Sequence, residues 1–153
     1  MADAEKRALD ILGGRALLTR GKARRAPRLE PGELRWAGII RTGLPARSTQ
    51  RLAGTLGVSV NELSEQLRLP GRTVHRRLEK GQPLTPEESE RNVRAARVLA
   101  KAQELLGDDS GREWVLSPCR ALGGEVPITL LDTADGFTAV MDELGRLEHG
   151  VLS

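Results

Sequence analysis

The chain has 153 residues, 39% hydrophobic but only 2% aromatic, with no Tyr, so one domain, or two small ones sharing a helix, must build its core from Leu, Val, Ile and Ala. No apolar run reaches the ~18 residues of a membrane span, and the N-terminus lacks the apolar core of a signal peptide; a single Cys119 with two His excludes an internal disulfide and a cysteine-based zinc site. The net charge of +3 hides a division, because residues 1–100 carry 20 Lys and Arg against 11 Asp and Glu, whereas residues 101–153 carry 4 against 10. A basic front half suits a polyanion and an acidic back half suits a protein with a basic surface, which points to two partners.

Residues 1–12 read as a helix with Ala4, Ala8, Leu9, Ile11 and Leu12 as its apolar content, stopped by Gly13-Gly14. That pair is not a phosphate loop, since a dinucleotide fingerprint needs a preceding strand and further glycines at fixed spacing. From Arg20 to Arg28 the chain is basic with no acid. Such an arm can lie on phosphates or in a minor groove, or can be a solvated linker. Leu34 to Ile40 reads as a short buried helix with Trp36, Ile39 and Ile40, and Gly43-Leu44-Pro45 turns the chain. Ser48 to Leu56 is the next helix, with Leu52, Ala53 and Leu56 inward and Gly57 at its end.

Val58 to Leu84 has the form helix, tight turn, helix. Ser59 and Glu62 are spaced as a capping box, and the first helix turns Val60, Leu63 and Leu67 inward. After Pro70-Gly71, Val74 and Leu78 share the core at i, i+4. The outer face of the second helix then carries Arg72, Thr73, His75, Arg76 and Arg77. A cationic, donor-rich helix suits the DNA major groove, where guanidinium groups pair with guanine or clamp phosphates. The plainer alternative is a solvated surface helix. Pro70 stands where many such motifs place a Ser or Thr cap, so a hydroxyl that could also touch a phosphate is missing.

Thr85-Pro86-Glu87-Glu88 is a strong helix start, and the helix is predicted to run to Leu106 and stop at Gly107. Ala95, Val98, Leu99, Ala102, Leu105 and Leu106 form one apolar stripe, long enough to bridge two subdomains. On the other face Arg91, Arg94 and Arg97 repeat every three residues and read as a solvated face. Gly111 to Leu116 makes a short helix halted by Ser117-Pro118. Gly123-Gly124 turns the chain, Pro127 opens a short helix through Leu131, and Thr133 caps the last one. That last helix holds Phe137, Val140, Met141, Leu144 and Leu147, with Gly150 placed to terminate it and Val151-Leu152-Ser153 projecting as a tail. No strand is expected.

The span from about Gly43 to Ser153 resembles the Xre/MbcA/ParS class of bacterial antitoxins. The likeness rests on RTVHRRLEKGQPLTPEESERNVRAARVLAKAQELLG, EWVLSPCRALGGEVPITLLDTADG and VMDELGRLEHGVLS, and within these on Arg76-Arg77, the Thr-Pro-Glu-Glu-Ser start, Pro118, Leu122-Gly123-Gly124, Pro127, Leu130-Leu131, Thr133 and Gly136. The resemblance implies an all-α fold: an Xre-like helix-turn-helix bundle joined by a long helix to a small helical toxin-binding domain. The expected division is 1–42 as an N-terminal helical segment with a basic arm, 43–107 as the DNA-binding domain, and 108–153 as the toxin-binding domain. The implied partners are operator DNA and a RES-domain toxin that consumes NAD, with the antitoxin holding the toxin inactive and repressing their shared promoter in the bacterial cytoplasm. Pro70-Gly71 departs from the family's polar cap of the recognition helix.

Operator reading by paired half-sites calls for a homodimer, with Arg72 and Arg76, one turn apart, as first contacts and Thr73, His75 and Arg77 beside them. The tail Glu148, His149, Gly150, Val151, Leu152 and Ser153 is the expected toxin plug, anionic at Glu148 and apolar at Val151 and Leu152. The competing reading is a helix-turn-helix repressor without a toxin. RNA binding would want exposed aromatics, yet Trp36, Trp114 and Phe137 fall in apolar patterns. No His-Cys, His-Ser or paired-carboxylate set lies at a spacing that one helix face could assemble, so no enzyme, cofactor or metal site is expected.

Overall fold

The computed structural model describes residues 3–19 and 32–152, and of residues 19, 32–34, 151 and 152 the backbone alone. The predicted basic arm from Arg20 to Arg28 and the end residue Ser153 lie outside the described residues, as do the side chains of Val151 and Leu152. The described chain is all-α: α1 (Asp3–Leu12), α2 (Ala16–Thr19), α3 (Gly32–Thr42), α4 (Arg47–Leu56), α5 (Val60–Gln66), α6 (Gly71–Lys80), α7 (Pro86–Leu106), α8 (Asp108–Leu116) and α9 (Ala134–Leu152). Two 3-10 turns, Arg120–Leu122 and Pro127–Leu130, fill the stretch between α8 and α9. The described residues hold no strand, only an isolated bridge between Pro45 and Pro83, and no helix long and apolar enough to cross a membrane.

The 21-residue α7 is the axis of the molecule. It begins where the chain chemistry requires: the Thr85 hydroxyl accepts from Glu88 N at 3.2 Å, Glu88 Oε1 accepts from Thr85 N at 3.2 Å, and Pro86 follows the cap. Its stripe is buried as the spacing demands, with Ala95, Val98, Leu99 and Ala102 at 1% exposure or less. The other caps are simpler. Ser59 accepts from Glu62 N at 3.0 Å, but Glu62 points to solvent and only the hydroxyl half of the expected box forms. Thr133 accepts from Gly136 N at 3.0 Å and starts α9.

Around α7 the α4–α5–α6 unit supplies Leu52, Leu56, Leu63, Leu67 and Val74, and the C-terminal unit supplies Val115, Ile128, Leu131, Val140 and Leu144, all at 2% exposure or less. These belong to one continuous cluster that also takes in Trp36 and the buried face of α1. Fully burying such side chains stabilises by roughly 1.5–3 kcal/mol each, so α7 is held from both sides. Gly111 lets α8 double back onto α7. A Cβ there would stand 2.6 Å from the backbone of Gln103, which no side chain could tolerate.

Several boundaries differ from expectation: α2 is an added short helix, α3 runs past the expected 34–40 at both ends, and α8 starts at Asp108, not Gly111. Gly150 does not end the last helix; α9 continues through it to Leu152. An exposed glycine inside a helix costs only about 1 kcal/mol relative to Ala, which the rest of α9 can carry.

Candidate functional site

The recognition helix α6 has Pro70 at its cap with no side-chain cap bond. Val74 faces the core at 0% exposure, and Arg72, His75 and Arg76 are exposed while Thr73 is half-buried. His75 Nε2 lies 2.6 Å from Asn61 Oδ1, which fastens the recognition helix to the first turn of α5. Arg77 departs from the outer face expected for it. Three residues after Val74, it turns under the helix, where its side chain is 20% exposed and its Nη2 lies 3.1 Å from Glu88 Oε1. Its Nη1 also donates to the Pro83 carbonyl at 3.2 Å. Glu88 thus closes the α7 cap and anchors α6 with one oxygen. Of the predicted contacts, Arg72 and Arg76 still face outward, one turn apart, with His75 beside them, and Lys80 at the end of α6 is exposed as well.

Behind this helix the first turns of α7 carry a buried polar network that the apolar spacing gave no sign of. Ser89 accepts from Leu44 N at 2.9 Å, Thr49 donates to Asn92 Oδ1 at 3.0 Å, and Asn92 Nδ2 donates to the Glu88 carbonyl at 2.9 Å. Ser89, Thr49 and Asn92 are all 0% exposed, so these bonds are made in a dry interior and fix α4 and α7 in one register.

The arginine row on α7 is not the solvated face expected of it. Arg91 donates to the Arg68 carbonyl at 2.7 Å, where the chain leaves α5. Arg94 donates to the Leu131 carbonyl at 3.2 Å and pairs with Glu90 at 2.9 Å. Arg97 pairs with Glu5 at 3.5 Å, and its guanidinium stands 6.0 Å from the Trp36 ring centre and 5.4 Å from that of Phe137. Lys101 continues the same face and pairs with Glu148 at 3.0 Å. Long cationic side chains bury their stems while their heads find distant partners, and each of these four joins α7 to a different part of the chain.

The C-terminal unit presents Glu125, Asp135 and Asp142 to solvent. Glu143 is instead 8% exposed and held by Arg146 at 2.8 Å. The expected plug is also arranged differently. Glu148 is not in a free tail but on α9, tied to Lys101, and His149 and Gly150 continue that helix as exposed residues. Cys119 is a half-buried free thiol in the loop after α8. Among the described residues no three His, Cys, Asp or Glu side chains gather as a metal ion would need.

Comparison with known proteins matches residues 35–97 to the antitoxin Xre-like helix-turn-helix domain and residues 101–150 to the antitoxin Xre/MbcA/ParS C-terminal toxin-binding domain. Among curated relatives, the antitoxin Xre of Yersinia enterocolitica is 44% identical over 87 residues, covering 56% of this chain and 59% of that protein. The antitoxin Xre of Photorhabdus laumondii is 30% identical over 117 residues, covering 75% of this chain and 79% of that protein. A protein of Sphingobium named Prs ADP-ribosylating antitoxin is 29% identical over 126 residues, covering 76% of this chain and 79% of that protein. The chain belongs to the Xre/MbcA/ParS family of antitoxins, with an Xre-like helix-turn-helix domain followed by a toxin-binding domain.

Proposed function

We propose that the chain captures a RES-domain, NAD-consuming toxin with its C-terminal half and represses its own operon, as a homodimer, with its helix-turn-helix. The observation that carries this reading is that the toxin-binding match, residues 101–150, falls on the acidic part of the chain. A site that accepts an anionic dinucleotide is basic, and opposite charge speeds and orients docking. The Sphingobium relative is named for ADP-ribosylation, a chemistry that takes its ADP-ribose from NAD, which supports a toxin of that class. Inhibition is steric: the end of α9 enters the NAD site. Because Lys101 engages Glu148, the inserting part begins after it, with His149, Gly150, Val151, Leu152 and Ser153. Arg72 and Arg76 make the operator contacts, Thr73 and His75 assist, and Arg77 acts from beneath by holding α6 on Glu88.

The test is growth of bacteria expressing the neighbouring gene with and without this chain, with cellular NAD followed in the same cultures. Arrest and NAD depletion reversed by the chain, and restored when residues 150–153 are removed, are the expected results. A harmless neighbour leaves a helix-turn-helix repressor without a toxin. Full protection by the trimmed chain overturns occlusion by the end of α9.

A further inference from the structure

α1 lies ahead of both matched regions, yet it reaches each of them. Ala8, Leu9, Ile11 and Leu12 are buried against the core. The carbonyl of Leu12 accepts from Ser48 Oγ at 2.6 Å, and that of Asp10 accepts from Arg51 at 3.4 Å, so α1 is stitched to α4. On its other side Arg7 pairs with Asp108 of α8 at 2.8 Å and Glu5 pairs with Arg97 at 3.5 Å. Arg97 branches from there. Its guanidinium rests over Phe137, in the first turn of α9. One residue turn earlier on α7, Arg94 holds the Leu131 carbonyl just ahead of that helix. A small recess lined by Ala4, Glu5, Arg97, Lys101 and Met141 brings α1, α7 and α9 to one place.

We infer that α1 is a brace for toxin capture, with Glu5 and Arg97 as positioning residues that set the pose of α9. The inference rests on the reading of α9 as the toxin-facing helix. A carboxylate on α1 holds the cation on which the base of α9 lies, so orientation of the far end is settled during folding and not at binding. The Glu5–Arg97 contact is about one-quarter exposed on both sides. At 3.5 Å the contact is a long hydrogen bond, so its neutral loss in Glu5→Gln changes pose more than folding.

The experiment uses the full chain with Glu5→Arg, Glu5→Gln, Arg97→Lys and the swap Glu5→Arg with Arg97→Glu. Inhibition of the neighbouring toxin, operator affinity, Tm and amide hydrogen exchange over residues 134–148 are measured. Glu5→Arg is expected to weaken inhibition about five- to tenfold and to speed exchange in α9, with operator affinity unchanged and a fall in Tm too small to account for the loss of inhibition. Arg97→Lys keeps the charge and retains most of the inhibition, and the swap recovers part of it. Glu5→Gln shows the same change in smaller measure and serves if the reversal does not fold. Wild-type inhibition and wild-type exchange in a folded Glu5 variant overturn the brace, as does a loss that merely follows Tm. A wild-type chain that does not inhibit the toxin removes the toxin reading; hydrogen exchange then still decides whether α1 sets α9.

Discussion

The two ends of α7 hold their neighbours by opposite means. The first turns use Ser89 and Asn92, short side chains at 0% exposure, in bonds to groups that are themselves buried. The later turns use Arg94, Arg97 and Lys101, long side chains between 13% and 26% exposed, which reach carbonyls, carboxylates and rings on elements remote in sequence. Short buried bonds fix a register and tolerate little change. Long cationic contacts are individually weak, depend on salt, and let one helix gather several elements at once. The short buried bonds lie on the helix-turn-helix side, where Arg77 and Arg91 add long cationic contacts, and the toxin-binding half is fastened by Arg94, Arg97 and Lys101.

The contrast can be broken most severely at Gly136. A Cβ there would stand 1.8 Å from the Leu130 carbonyl, so Gly136→Ala should cost about 3 kcal/mol or more and open the α9 junction while leaving the α4–α6 unit folded. Gly145, with nothing within 4 Å of an added Cβ, is the control, because the same change there should stabilise by up to about 1 kcal/mol. Equal destabilisation in the two variants by urea unfolding would show that the close approach at Leu130 is not what matters. A smaller effect is expected from Asn92→Ala. It strips the acceptor from the fully buried Thr49 hydroxyl, at about 1–3 kcal/mol, and should lower operator binding together with stability. The smallest comes from salt. Raising ionic strength from 0.1 to 1 M shortens the Debye length from about 10 to about 3 Å, so hydrogen exchange in α9 should quicken while the α4–α7 junction keeps its protection. A uniform response along α7 would erase the distinction.

Most of the helices were legible in the sequence, because caps and apolar spacing are local. Thr85 with Glu88, Thr133 ahead of Gly136, and the Ala95–Leu99–Ala102 stripe each announce themselves within a few residues. The destinations of the cations were not legible in the same way. Leu131 is 37 residues from Arg94, and Glu5 is 92 from Arg97, and no periodicity encodes a partner at that distance. Arg77 is the exception, since its place three residues after buried Val74 puts it on the inner side of α6. The continuation of α9 through Gly150 was missed because glycine marks a helix end only when the chain beyond it turns back to cap.

The two matched regions, 35–97 and 101–150, meet within α7 and not in a loop. Exchange of toxin specificity between relatives by recombination at that seam would therefore join a new C-terminal half to the foreign cations of the old helix. A working chimera has to inherit Arg94 and Arg97 along with the surfaces they grip, Leu131 and Phe137, whereas Lys101 and Glu148 travel together in the C-terminal region. Under the proposed occlusion, new specificities should arise more readily by drift around the exposed His149 and Gly150 than by shuffling whole halves.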